Sequence, residues 1–136
     1  MNMNILLDTH ILLWALTEDP KLPQKAISFI NDKSNVIFYS VVSIWETAIK
    51  HIKSPEKLSV SHHELVNFCK GARFKDLTLD VWHVDALETL RRPDNAPPHH
   101  DPFDRILIAQ AKSEDMTFLT HDDNLALYHE SCVIVV

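Results

Sequence analysis

The side chains with chemistry to offer are five acids that lie far apart in the chain: Asp8, Glu46, Asp101, Asp104 and Asp122. Asp8 ends the apolar run Ile5-Leu6-Leu7. Glu46 closes Ser43-Ile44-Trp45-Glu46. Asp101 and Asp104 stand in His99-His100-Asp101-Pro102-Phe103-Asp104-Arg105, and Asp122 follows Phe118-Leu119-Thr120-His121. Carboxylates that meet in space repel and raise one another's pKa, so at neutral pH they require protons or a cation. Hard oxygen ligands select Mg²⁺ or Mn²⁺ over softer metals. An ion held this way keeps water and takes phosphate oxygens, which suits in-line attack of water on a phosphodiester.

Each acid also has a purely structural reading. Asp8 is placed to cap a helix, and so is Asp122, for which Asp123 could substitute. Ser43-x-x-Glu46 fits a capping box, and Glu46 pairs with Lys50 at i, i+4. Asp101, Pro102 and Asp104 suit the N-cap, first and third positions of a helix, where the dipole favours negative charge. None of these readings requires the acids to gather, so the elements that carry them decide the matter.

Those elements alternate. Ile5–Leu7, Val36–Tyr39, Leu77–Leu79, Met116–Thr120 and Val133–Val136 read as short apolar strands. Helices are expected over Thr9–Leu16, from Pro23, from Ser43 through Ile52, over Glu64–Phe74 and over Val81–Leu90. Trp45, Ala48, Ile49 and Ile52 share one face of the third. Leu65, Phe68, Cys69 and Ala72 are expected inward on the fourth, and Val84, Leu87 and Leu90 on the fifth. The helix from Pro102 is apolar nearly all round, which marks it as interior. Apolar strands without polar alternation belong to a parallel sheet covered on both faces. The expected fold is three-layer α/β/α with a central, mainly parallel sheet of about five strands. One domain is expected over residues 1–136. In such a sheet the strands' carboxyl ends share one edge, where ligands bind at the point of strand reversal. Acids remote in sequence would converge there.

Composition narrows the alternatives. The one glycine, Gly71, argues against a phosphate-cradling glycine loop. Cys69 and Cys132 sit in apolar surroundings as reduced core residues. Met1-Asn2-Met3-Asn4 has no charged leader and no run is long enough to span a membrane, so a cytoplasmic protein is expected. The net charge of −6 means that a polyanion would need bridging cations or a basic partner.

Four segments resemble the PIN-domain ribonucleases, and more narrowly the VapC-type toxins of prokaryotic toxin–antitoxin pairs. They are Leu6-Leu7-Asp8-Thr9-His10; Ser43-Ile44-Trp45-Glu46; His99 through Arg105 with Ile108-Ala109-Gln110-Ala111; and Phe118-Leu119-Thr120-His121-Asp122. The resemblance implies a Mg²⁺- or Mn²⁺-dependent endoribonuclease whose catalytic and metal-binding carboxylates are Asp8, Glu46, Asp104 and Asp122. It implies an RNA substrate, an antitoxin lying across the acidic mouth, and a homodimer. Asp101 is then a cap that meets metal only through water. The hydroxyls of Thr9 and Thr120 orient a carboxylate or a metal-bound water. His121 stands where relatives often carry Arg. His10, His99, His100 and Arg105 lie near the mouth and could hold phosphates, but loop histidines also fit a solvated surface. Trp14, Trp45 and Trp82 read as core residues. Lys50, His51, Lys53 and Lys57 form a basic group that could meet RNA but also fits a solvated face.

Two other classes remain. A receiver or haloacid-dehalogenase-like phosphatase also uses aspartates at strand ends with Mg²⁺, but Asp8 lacks an acidic neighbour and His10 breaks Asp-x-Asp. An inactive PIN scaffold for protein contacts would retain the acids as helix caps.

Overall fold

The computed structural model describes residues 2–99 and 101–136. His100 lies outside the described residues. The chain runs β1 (Asn4–Leu7), α1 (Thr9–Leu16), α2 (Gln24–Asn31), β2 (Val36–Ser40), α3 (Val41–Lys53), α4 (His62–Gly71) and β3 (Lys75–Leu77). It continues through α5 (Val81–Ala86), α6 (Pro102–Ser113), β4 (Thr117–Thr120) and β5 (Val133–Val135). Short 3₁₀ turns cover Leu87–Thr89 and Asp123–Leu127.

All five strands are parallel, in the order β3-β2-β1-β4-β5. The period of two along β1 divides the core. Ile5 and Leu7 face one side with Ile11, Leu12, Ala26, Leu65 and Cys69, contributed by α1, α2 and α4. Leu6 faces the other with Phe118, Leu77, Leu107, Ile108 and Ala111, where α6 packs. Both faces are therefore covered, as the unbroken apolar strands require. The fold is the expected three-layer α/β/α. A receiver has the strand order 2-1-3-4-5, which this sheet does not follow.

Several boundaries differ from those expected of the sequence. The third strand is Lys75–Leu77 rather than Leu77–Leu79, because Phe38, Tyr39 and Ser40 set its register against Lys75, Asp76 and Leu77. Leu79 is left exposed beyond the sheet. Helix α3 starts directly from β2: Ser40 ends the strand and caps the helix by accepting from the Val42 N–H. Ser43 is thus inside the helix, and Ser43-x-x-Glu46 is not a capping box. A capping box does form at Ser61 with Glu64, so α4 starts earlier than expected. Phe68 is half-exposed and Ala72 lies at the exposed helix end, neither of them inward. The helix from Val81 tightens to a 3₁₀ turn after Ala86, with Val84 exposed. His83 takes the inward place: it donates from Nε2 to Glu114 while Nδ1 accepts from the Asp80 N–H.

Helices α1, α4 and α6 end alike. Glu18, Arg73 and Asp115 have φ of 53°, 63° and 55°. The residue after each bonds back to the last turn: Asp19 to Trp14, Phe74 to Cys69, Met116 to Ala111. This left-handed closure favours glycine, and here three side-chain-bearing residues adopt it. Arg73 is exposed. Arg73→Gly is therefore expected to stabilise the fold by about 0.5–1 kcal/mol in urea unfolding, and a loss of stability would contradict the assignment.

Candidate active site

From β1 the chain moves outward through β2 to β3, then returns across the sheet to β4 on the other side of β1. The reversal opens a crevice at the carboxyl ends of β1 and β4, where ligands bind in open parallel sheets. Asp8 leaves β1 at this point. It caps α1 by accepting from the His10 N–H at 2.8 Å, and its own N–H bonds to Leu119 O of β4 at 3.0 Å. Its second oxygen accepts from Thr120 Oγ1, the last residue of β4. Thr120 in turn accepts the Asp122 N–H at 3.1 Å. One hydroxyl thus ties two of the predicted acids together across the crevice. Asp122 caps the 3₁₀ turn by accepting from Asn124 N–H, so its expected capping role is real. Asp123 does not replace it and begins that turn.

Glu46 arrives from α3 and is buried. It lies in the interior of the helix, not at its opening, and reaches the crevice because Val41 follows the strand with no intervening loop. Thr9 Oγ1 donates to Glu46 Oε1 at 2.8 Å and stands 2.8 Å from Ser43 Oγ. Lys50 Nζ donates to the other carboxylate oxygen, as the i, i+4 spacing predicted.

Asp104 sits at the start of α6. Asp101 caps that helix, accepting from the Phe103 and Asp104 N–H groups at 2.9 and 3.2 Å, and Pro102 opens it. His99 Nε2 approaches Asp104 Oδ2 at 3.5 Å. His99 Nδ1 and Arg105 Nη1 both reach the Tyr128 hydroxyl, at 2.7 and 3.0 Å, fastening the proline-rich loop to α6. Arg105 is thus engaged by Tyr128 rather than standing free at the mouth.

The electrostatics follow from this placement. Burial pushes the Asp8 carboxyl up, against hydrogen bonds from Thr120 and His10 that pull it down, while the Glu46 charge pushes further up. Asp104 is pushed up to about 8, first by burial and then by the charges of Asp101, Asp8, Glu46 and Asp122. The charges of Asp8, Glu46 and Asp122 thus reach Asp104, and that of Glu46 reaches Asp8, although these acids come from different elements. Burial and Arg92 hold His99 down, with Asp101 and Asp122 opposing. Among the described residues, no three His, Cys, Asp or Glu side chains form a ready-made metal site. Each predicted carboxylate is turned to a protein donor: Thr120 and His10 N–H for Asp8, Thr9 and Lys50 for Glu46, His99 for Asp104, Asn124 N–H for Asp122.

Away from the acids, the structure agrees with some expectations and corrects others. Cys69 is buried and Cys132 half-buried, both free thiols. Trp14 packs against the core, but Trp45 and Trp82 are 58% and 56% exposed and are not core residues. Trp45 lies edge-on to Phe103, and Trp82 donates to Glu114. His121 is exposed and bonds the Val136 carbonyl. Sequence reasoning missed Tyr128 as the anchor of His99 and Arg105, and it gave Ser43 a different task. Spacing held a signal for Ser43, one helical turn before Glu46. Nothing in the sequence pointed Tyr128 at the loop.

Fold and site together define a parallel α/β domain with Asp8 at its switch point and Asp104 within reach of the charges of Asp8, Glu46 and Asp122. The PIN domain family model matches residues 5–130, and the chain belongs to that family. None of the curated proteins matches it. Its structure is similar to a chain of the VapBC2 complex of Rickettsia felis bound to a promoter DNA fragment, with a TM-score of 0.69, 17% identity and 98% of each chain covered. It is also similar to a domain of a functionally unknown protein from Methanocaldococcus jannaschii, with a TM-score of 0.53, 16% identity, and 91% and 84% of the two chains covered. At these identities the likeness establishes the fold.

The raised Asp104 carboxyl has a consequence for stability. The folded state holds a proton on Asp104 up to about pH 8, whereas the unfolded chain releases it near its ordinary value of 3.8. Between those limits the folded state binds more protons, so this group's contribution is fullest below pH 4 and is lost as pH rises through about 8. Asp104→Asn removes the ionisation. Its melting temperature, relative to the native protein, is expected to rise more at pH 8 than at pH 4 in metal-free buffer. An equal difference at both values would contradict the raised pKa.

Proposed function

We propose that this protein is a Mg²⁺- or Mn²⁺-dependent endoribonuclease and the toxin of a toxin–antitoxin pair, with residues 1–136 working as one domain. The observation that carries the reading is Asp104, a half-buried carboxyl facing the charges of Asp8, Glu46 and Asp122 at the switch point. Mutual repulsion of that kind is relieved by a divalent cation, and an all-oxygen donor set fits Mg²⁺ or Mn²⁺. Asp8, Glu46, Asp104 and Asp122 would hold the ion, which supplies Lewis acidity and an activated water when bound. Thr120 and Thr9 fix the Asp8 and Glu46 carboxylates by hydrogen bonds. Lys50 pairs with the second oxygen of Glu46. Asp101 holds the start of α6, and so Asp104, in place. Arg105, seated on Tyr128, would contact substrate phosphate near Asp104.

An antitoxin and a second copy are the proposed protein partners. Their support is the solved VapBC2 neighbour together with an exposed apolar strip on α3: Val41, Trp45, Ile49 and Ile52 lie along one face, with Ile52 79% exposed. An antitoxin arginine placed among the acids would satisfy their charge. The proposed location is the cytoplasm; among the described residues no helix is long and apolar enough to cross a membrane. The scaffold alternative draws on the protein donors that already engage each carboxylate.

Cleavage of total cellular RNA separates the two. The native protein is expected to cut RNA with Mg²⁺, to stop in EDTA and to resume with Mn²⁺. Asp8→Asn and Asp104→Asn are each expected to lower the rate about a hundredfold or more while circular dichroism spectra stay native. Absence of RNA cleavage by the native protein, or rates unchanged in both variants, would overturn the nuclease reading.

A further inference from the structure

A cleft of about 720 Å³ runs between α1 and the C-terminal half of α3 with the loop that follows it. Lys21, Lys50, Lys53 and Lys57 line it, four of the nine lysines in the chain. This concentration runs against a net charge of −6. The acid that shares the lining, Asp19, turns its carboxylate to the Lys21 backbone N–H. Thr47 also lines the cleft, and its Oγ1 is buried without a hydrogen-bond partner. The cleft begins at the acids: Thr9 and Lys50 belong to its lining, and both hydrogen-bond Glu46.

We propose that this cleft is the track for the phosphodiester backbone of a single RNA strand whose scissile bond lies at the acids. Lys21, Lys53 and Lys57 hold phosphates beyond the cut. Lysine ammoniums are point charges on flexible stems, suited to a mobile strand and unable to read base edges as a bidentate guanidinium does. The track therefore contributes affinity that does not depend on sequence. An acidic peptide fits the lysines less well, because at the cleft's end it would set carboxylates against Asp8 and Glu46. A phosphodiester can share a cation with them. The proposal rests on the nuclease reading for where the strand leads.

Fluorescence anisotropy with a labelled 2′-O-methyl oligouridylate, which resists cleavage, tests it across a salt series. The triple variant Lys21→Gln/Lys53→Gln/Lys57→Gln leaves Lys50 and the acids intact. A control triple, Lys25→Gln/Lys33→Gln/Lys70→Gln, removes the same charge elsewhere. The cleft triple is expected to bind about tenfold more weakly and to lose about two from the slope of log affinity against log salt. The control is expected to stay within about twofold of the native protein at low slope change. The proposal is overturned if the two triples behave alike, if the native protein does not bind the probe, or if poly-glutamate displaces the probe better than an RNA of equal charge. Binding that follows the expected pattern in a protein that cuts no RNA would sustain the cleft and remove the nuclease reading instead.

Discussion

Asp8 and Glu46 are almost wholly buried, and Asp104 faces both of their charges from the start of a third element. Placing like charges together out of water is unfavourable, and a chain does so only where the surrounding fold compels it. Here the compulsion is topological. Asp8 is fixed by β1, Asp122 by β4, Glu46 by a helix that leaves β2 without a loop, and Asp104 by a capped helix buried against the sheet. The elements that carry these acids pack into the cores on the two faces of the sheet.

The compensation is local. Thr120 donates to Asp8, Thr9 to Glu46, and the Lys50 ammonium stands against Glu46. Hydrogen bonds to a charged carboxylate favour that form, so the donors on Asp8 act against the effect of its burial. Asp104 is served least. His99 approaches it at 3.5 Å, and burial together with Arg92 keeps that imidazole down. Burial, and after it the charges of Asp101, Asp8, Glu46 and Asp122, push the Asp104 carboxyl up to about 8. The same fixed donors also hold the carboxylates in orientation, so charge compensation and preorganisation come from one set of contacts.

Much of this was legible in the chain. Asp101-Pro102-Phe103-Asp104 announced a capped helix start, and the structure has that cap, that proline and that acid in the expected places. The apolar strands announced a parallel sheet, and with it a shared carboxyl edge for Asp8 and Asp122. What misled was local pattern where tertiary contacts decide. Ser43-x-x-Glu46 had the form of a capping box, but the strand-to-helix junction falls at Ser40, so Ser43 instead faces Thr9. Leu77-Thr78-Leu79 had the form of a strand, but the register against β2 fixes Lys75–Leu77. Trp45 and Ile52 had the spacing of a core stripe, yet that face of α3 looks outward, since helical periodicity identifies an apolar face without saying what covers it. The roles of Tyr128 and Gln110 depend on long-range pairing, Gln110 joining Ser40 to Thr78 across the sheet edge, and no local signal carries such a contact.

In the proposed nuclease these carboxylates answer their repulsion by sharing a divalent ion. A crystal soaked in Mn²⁺ and measured at the manganese absorption edge addresses that sharing most directly. An anomalous peak is expected at the carboxyl edge between β1 and β4, bonded to Asp8 and to at least two of Glu46, Asp104 and Asp122. A crystal saturated with Mn²⁺ that showed no peak there, with Glu46 still held by Lys50 and Thr9 and Asp104 carrying a proton, would contradict it.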